Sequence, residues 1–416
     1  MRHDTPLRKH HEAYARALAE AGSGEPASAH RPGAAAGRRA ERPAVEYLPY
    51  GPSGEPGAPA CEIPAAFAEI ETEYAAIRRG AGLLDCPHRA TLRITGDDRI
   101  EFLNRMVTQD LKDLAPGTAV ETFWLNRRGR IRADLLLIEL DDEMLVAVDI
   151  HAADATGESL NEFLFTEDVM IADDSESFHH ISVHGRLAIE CVRVAAGQGG
   201  LTLLPGRVAR FAVGGTDVVA AHRDQVGDVS IELLVPRDAA GNVWDALLET
   251  DASIGAGKRR VRPVGWFAFN MARIEGGTPL FNIDFGPDHL PHETGILERR
   301  VSFTKGCFLG QEVVSRLETQ GRPKQMLVGL RMERDRLPVA GAPVYAGRDE
   351  EPGDSIGHVT SSTLSPMLGS QPIGFAMLRS AHASPGQTLF VSAEGEHCPA
   401  TVQGPAFWSR DQSASA

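Results

Sequence analysis

The residues best suited to chemistry lie in Lys305-Gly306-Cys307-Phe308-Leu309-Gly310-Gln311-Glu312, where a thiol stands between glycines ahead of Val313, Val314 and Leu317. The helical spacing of those apolar residues predicts a helix whose first turn holds Cys307, near backbone N–H groups without intrahelical partners. The partial positive charge of a helix N-terminus, with the Lys305 ammonium, would favour thiolate over thiol. The same residues also fit a small buried cysteine on a turn shaped by glycine. A second candidate is Asp134, in Arg130-Ile131-Arg132-Ala133-Asp134-Leu135, which reads equally as a surface ion-pair partner of the neighbouring arginines. Strand alternation directs Arg130 and Arg132 to one face, where they attract an anion or form a solvated hairpin edge with Arg127 and Arg128.

Other chemistries find little support. His10-His11 and His179-His180 with His184 lack a carboxylate or cysteine ligand set at metal-binding spacing, so no metal site is expected. Ser302, Ser315 and Ser361 have no identifiable base and orienting acid. Five cysteines, at 61, 86, 191, 307 and 398, form no CxxC pair and fit a reducing, cytoplasmic setting. A formal net charge of -15, with no aromatic residues interleaved among the basic ones, argues against a nucleic-acid partner. With 42% hydrophobic and 24% charged residues and no bilayer-length apolar run, the composition is that of a globular protein outside the membrane.

At 416 residues the chain calls for two or three domains. Acidic Asp4, Glu12 and Glu20 argue against an organellar transit peptide, and residues 21–44, rich in Ala, Gly, Pro and Arg, read as a disordered insertion. Phe67, Ile70, Tyr74 and Ile77 predict an amphipathic helix ending at Arg79-Gly80. A strand at 90–95 and a helix capped by Asp97 or Asp98, with Glu101 completing a capping box, come next. Apolar runs at 120–125, 131–140 and 144–149, separated by turn residues, predict an antiparallel meander. A helix over 152–165 and a strand from 169 follow. Short strands are read at 181–192, 210–220 and 229–235, with a helix at 243–248. Strands and helices intermingle without βαβ alternation, which predicts an α+β fold. Beyond Pro323, six short strands divided by Gly and Pro turns predict a small β-barrel.

The octapeptide, with Arg316, Gly321 and Arg322, resembles the signature of the YgfZ family of folate-binding proteins, which assist iron–sulfur enzymes. That family is similar in fold to the aminomethyltransferase (T protein) of the glycine cleavage system. Ala81-Gly82-Leu83-Leu84-Asp85, Thr108-Gln109-Asp110, Arg273-Ile274-Glu275-Gly276-Gly277 and Gly357-His358-Val359-Thr360-Ser361 extend the resemblance to the wider superfamily, as does Thr5-Pro6-Leu7.

The resemblance implies a three-domain cloverleaf around a central opening. Residues 47–180 plus 260–322 would form the folate-binding domain, 181–259 a ferredoxin-like domain and 323–412 the barrel, after an N-terminal segment 1–46. It further implies tetrahydrofolate or a related reduced folate as cofactor, with Glu275 accepting the donor row of the pterin and the glycines letting the flat ring approach. The alternative at Glu275 is an exposed pair with Arg273. Arg273, Gly306, Gln311, Glu312, Arg316 and Arg130 are expected around the folate, and Cys307, Lys305 and Asp134 carry any chemistry. Ala133 replaces the second acid that aminomethyltransferases carry beside Asp134. Two functions stay open: an accessory factor for iron–sulfur client enzymes, or a folate-dependent aminomethyl- or methyltransferase acting with a lipoyl carrier protein or a methylated donor.

Overall fold

Helix Arg8–Gly22 opens the fold because Leu7, His11 and Ala15 share a face that is sealed against Phe67 and Trp244. Around it, Arg2–His3 pairs parallel to Ala60–Ala66, which pairs antiparallel to Glu46–Tyr50. This computed structural model describes residues 2–22, 45–51, 60–254, 258–347 and 353–410, so the insertion expected at 21–44 falls, from residue 23 on, outside the described residues.

The helix read from Phe67 to Arg79 forms over Ile70–Arg79 and buries Tyr74 and Ile77. Glu73, on the same face, is buried too, and its carboxylate accepts the N–H groups of Phe67, Ala68 and Gly265 at 2.6–2.7 Å. Burial raises its pKa, and those three bonds oppose the shift.

Two sheets flank the centre of the molecule. One is antiparallel, in the order Thr118–Leu125, Ile131–Glu139, Glu143–Asp149, Arg89–Thr95, Met170–Asp173, and contains the meander read from the sequence. Helix Arg99–Met106 follows Asp98, whose side chain makes no cap bond; it accepts the N–H of Asp168 at 2.8 Å instead. The other sheet runs Val208–Val213, Thr216–Asp224, Val229–Pro236, Phe178–His184, Ala81–Asp85, Val261–Pro263. Segment 181–259, expected to form a ferredoxin-like unit, therefore shares its sheet with strands from both flanking segments. Residues 181–192, read as strand, divide at Gly185 into the end of a strand and helix Ala188–Ala195, and residues 210–220 fold as a hairpin about Gly214-Gly215.

The C-terminal six strands close into an antiparallel barrel in the order Gln325–Met332, Gln371–Arg379, Ser355–Ser365, Pro343–Tyr345, Thr388–Ala393, Glu396–Gln403. Val328, Leu330, Val344, Leu389 and Val391 fill its interior. The whole is a mixed α+β fold with a C-terminal barrel. Among the described residues no helix is long and apolar enough to cross a membrane.

Candidate functional site

A hollow opens where the two sheets approach each other, with Asp134 from one, Ser182, Arg223 and Glu232 from the other, and Tyr50, His88, Arg89 and Phe281 completing its wall. Sheet register brings the polar groups together: Ser182 and Ala221 both pair with Glu232, so Arg223 lies on the diagonal of the same face. The free space is about 50 Å³, room for a few waters.

Glu232 is 2% exposed. Its Oε1 lies 2.9 Å from His180 Nδ1, and its Oε2 accepts the Ser182 hydroxyl at 3.3 Å and lies 3.7 Å from Arg223. Burial pushes this carboxyl up, but the His180 hydrogen bond and the charges of Arg89 and Arg223 outweigh it and hold the group well below the usual range. His180 is itself driven down by burial, so the pair is best described as a carboxylate receiving Nδ1–H from a neutral imidazole whose Nε2 accepts the Thr91 hydroxyl.

Asp134 takes a two-point contact from Arg300, Nε at 2.7 Å and Nη2 at 3.3 Å. Its partner is thus a residue distant in sequence and not the neighbouring arginines. Arg300 is buried and also donates to Glu121 at 2.7 Å. Burial would raise the pKa of Glu121, but Arg300, Arg223 and Arg299 bring it down to about 2. Two donors stay open, Arg89 Nε and Arg223 Nε, buried without acceptors among the described residues, and His88 Nδ1 is likewise buried without a partner there. The hollow therefore presents carboxylate acceptors and unspent donors side by side.

The other expected ligands lie elsewhere. Glu275 is fully buried but does not line the hollow. Its Oε2 accepts Tyr74 and Arg78, and its Oε1 accepts the Ser365 hydroxyl and the Met367 N–H. Arg273 is equally committed, to Asp284 at 2.7 Å and Ser361 at 2.8 Å, while Asp284 also accepts the hydroxyls of Thr360 and Ser361. The Arg-Ile-Glu and Thr-Ser motifs thus meet each other, as two buried clamps that fasten the barrel to helix Trp266–Glu275. Gly276 and Gly277 admit protein backbone and not a heterocycle: a Cβ at Gly276 would stand 2.3 Å from Gly227 N, and one at Gly277 2.6 Å from Ala406 Cα. Neither the pterin contact expected of Glu275 nor its alternative, an exposed pair with Arg273, fits these positions.

Cys307 is exposed, in an irregular loop just ahead of the turn at Leu309-Gly310. The helix it was expected to open begins only at Gln311, behind Gly310 at φ 81°, so the thiol does not lie within its first turn. Lys305 points inward, its ammonium donating to the carbonyls of Asn104, Val107 and Gln109 at 2.7–2.8 Å; burial lowers its pKa to about 8. It anchors the loop to the end of the 99–106 helix. Gly306, Glu312 and Arg316 are exposed, Gln311 half-buried, and Arg130 donates to the Asp288 carbonyl from an exposed position. Gly129 of the basic hairpin abuts Val313, and Arg127, Arg128 and Arg132 line a separate concavity with Leu309. Cys307 and Asp134 therefore belong to different surfaces.

Glu232, Arg223, Arg89 and Tyr50 escaped the sequence reading. One signal was present: Glu232 interrupts the apolar run Ile231, Leu233, Leu234, and a lone acid in a buried strand requires a partner. Among the described residues no group of His, Cys, Asp or Glu is arranged to hold a metal ion.

Residues 42–305 match the GCVT N-terminal domain, and residues 325–408 match the glycine cleavage T-protein C-terminal barrel domain. The chain belongs to the glycine cleavage T-protein family. Among T-protein relatives, the aminomethyltransferase of Streptomyces coelicolor is 31% identical over 361 residues, covering 84% of this chain and 92% of the relative. That of Bacillus pumilus is 27% identical over 351 residues, covering 84% and 93%. The crystal structure of the glycine cleavage system aminomethyltransferase T from Bartonella henselae superposes with a TM-score of 0.76 at 23% identity, over 88% of this chain and 95% of that one, a likeness of fold.

Proposed function

We propose that the chain binds a reduced folate, tetrahydrofolate or a close relative, in the central hollow, and supports iron–sulfur client enzymes through the exposed Cys307 loop. The hollow's chemistry suits a pterin, whose row of N–H donors needs the carboxylates of Asp134 and Glu232 and whose ring acceptors suit Arg89 and Arg223. A space of about 50 Å³ requires Tyr50, His88 and Phe281 to move apart as the ring enters. When bound, the folate supplies nitrogens able to carry a one-carbon unit. The observation that carries the accessory role is the outward thiol. A group acting on the bound folate would line the hollow, whereas Cys307 faces solvent and is placed to meet another protein. Loss of iron–sulfur enzyme activity under oxidative stress in a deletion strain, restored by wild type and not by Cys307→Ser, tests this; full activity in the deletion strain refutes it.

Aminomethyl transfer is the second reading, favoured by the place of Asp134 in the hollow and by relatives that are aminomethyltransferases. Conversion of tetrahydrofolate to methylenetetrahydrofolate with an aminomethylated lipoyl carrier separates the two, since the accessory reading requires none.

A further inference from the structure

Away from the hollow, three separate segments bring basic side chains to one concavity of about 700 Å³. Arg79 ends the 70–79 helix, Arg186 stands in the turn after strand 178–184, and Lys258, Arg259, Arg260 and Arg262 lead into and through strand 261–263. Backbone bonds fix this arrangement: Leu187 N–H donates to the Gly80 carbonyl at 2.8 Å and Ala81 N–H to the Arg260 carbonyl at 3.0 Å. Arg79, Arg186, Lys258 and Arg260 are exposed, and among the described residues no carboxylate lines the concavity; Asp251 accepts the backbone N–H groups of Arg260 and Val261, and Glu73 lies within the field of Arg262. Arg78, which also borders it, is spent on Glu275.

Six cations gathered with no carboxylate lining them among the described residues, in a chain of net charge -15, repel one another, and the fold holds them together nonetheless. An anion seated among them relieves that repulsion and meets planar guanidinium groups suited to two-point contacts. The surrounding negative charge limits what can enter. Screening confines the patch's field to about 8 Å at physiological ionic strength, so a broad polyanionic surface meets the net charge before the cations. Among the described residues no aromatic ring lines the concavity to stack a base.

We infer that this concavity is a binding site for a compact oligoanion, a ligand presenting two or more phosphate or carboxylate groups. The site is independent of folate binding in the hollow. Phosphorylated metabolites and polycarboxylate tails share that chemistry, and inorganic tripolyphosphate and tetra-L-glutamate represent the two sources. Calorimetric titration of the full chain at low salt is expected to show saturable binding of at least one of them, with acetate silent. Arg79→Gln/Arg186→Gln should weaken it about tenfold or more, as the loss of charged hydrogen bonds implies. Arg79→Gln/Lys258→Gln should do the same, while Arg316→Gln, exposed in the 311–320 helix and outside the concavity, should leave it intact. All these side chains are exposed, and thermal unfolding of each variant checks its fold. Binding of tripolyphosphate alone marks a phosphorylated ligand, and of tetraglutamate alone a polycarboxylate. The inference is overturned if neither binds, if both double variants bind as wild type does, or if a single-stranded oligonucleotide binds while both small anions do not.

Discussion

The Glu275 carboxylate and the Arg78 guanidinium meet at 2.5 Å, both removed from solvent, although 197 residues separate them in sequence. Arg78 also donates to the carbonyls of Val226 and Ala272 and lies over the Trp408 ring, while the Glu275 carbonyl accepts Phe407 and Trp408 N–H. One ion pair thus ties the 70–79 helix to the loop between strands 216–224 and 229–236 and to the C-terminal segment that follows the barrel. Removing one partner leaves the other charged and buried. Glu275→Ala should lower unfolding free energy by about 3–5 kcal/mol in urea denaturation. Folate affinity of the folded fraction should be unchanged; selective loss of affinity at wild-type stability would return Glu275 to the ligand set.

Periodicity made much of the scaffold legible. Ile70, Tyr74 and Ile77 mark one helix face, and residues 135–138 are apolar throughout because both sides of the strand are covered there. Gly214-Gly215 hid a hairpin inside one apolar run, and Gly185 hid a change from strand to helix. The site was less legible because its pairings depend on register. Sequence shows that Arg273 and Glu275 are unusual, but not that Asp284 and Arg78 claim them. Nor does it show that His180, Ser182 and Arg223 converge on Glu232, since those neighbours exist only once three strands have aligned.

Exposure distinguishes Cys307 from the other four cysteines, all buried. Burial pushes the thiols of Cys61 and Cys191 up to about 12. A thiol-specific reagent on native protein should therefore modify one cysteine rapidly, and Cys307→Ser should abolish that fast phase. The same substitution should change stability by no more than about 0.5 kcal/mol, as befits an exposed loop. Two or more fast-reacting thiols would contradict the burial described here.

His11 makes docking of the 8–22 helix sensitive to acid. Burial lowers its pKa from 6.5 to about 4, the attraction of Asp85 opposing the shift, while Nδ1 lies 2.9 Å from the Tyr47 hydroxyl. Between those values the unfolded chain holds more protons than the folded one, so the stability is fully present above 6.5 and declines as pH falls toward 4. The loss reaches up to about 3 kcal/mol. His88 and His184, lowered to about 3 by burial, extend the decline further. Urea midpoints for wild type and His11→Gln across this range should converge as pH falls; parallel curves would show that His11 titrates normally.

Asp134 and Glu232 reach the hollow already held from behind, Asp134 by Arg300 and Glu232 by His180 and Ser182. Such fixed acceptors spend little energy reorganising when a donor-rich ring arrives. Asp134→Asn and Glu232→Gln each replace a charged hydrogen bond with a neutral one and leave Arg300 or Arg223 still beside Glu121. Each should weaken tetrahydrofolate binding about tenfold or more, corresponding to roughly 1.5–3 kcal/mol for a bond to a charged group. Calorimetry on both variants, with unfolding curves beside it, measures affinity apart from stability. Should the double variant remain folded and bind tetrahydrofolate as wild type does, the folate sits outside this hollow. The carboxylates would then serve only to hold the two sheets together.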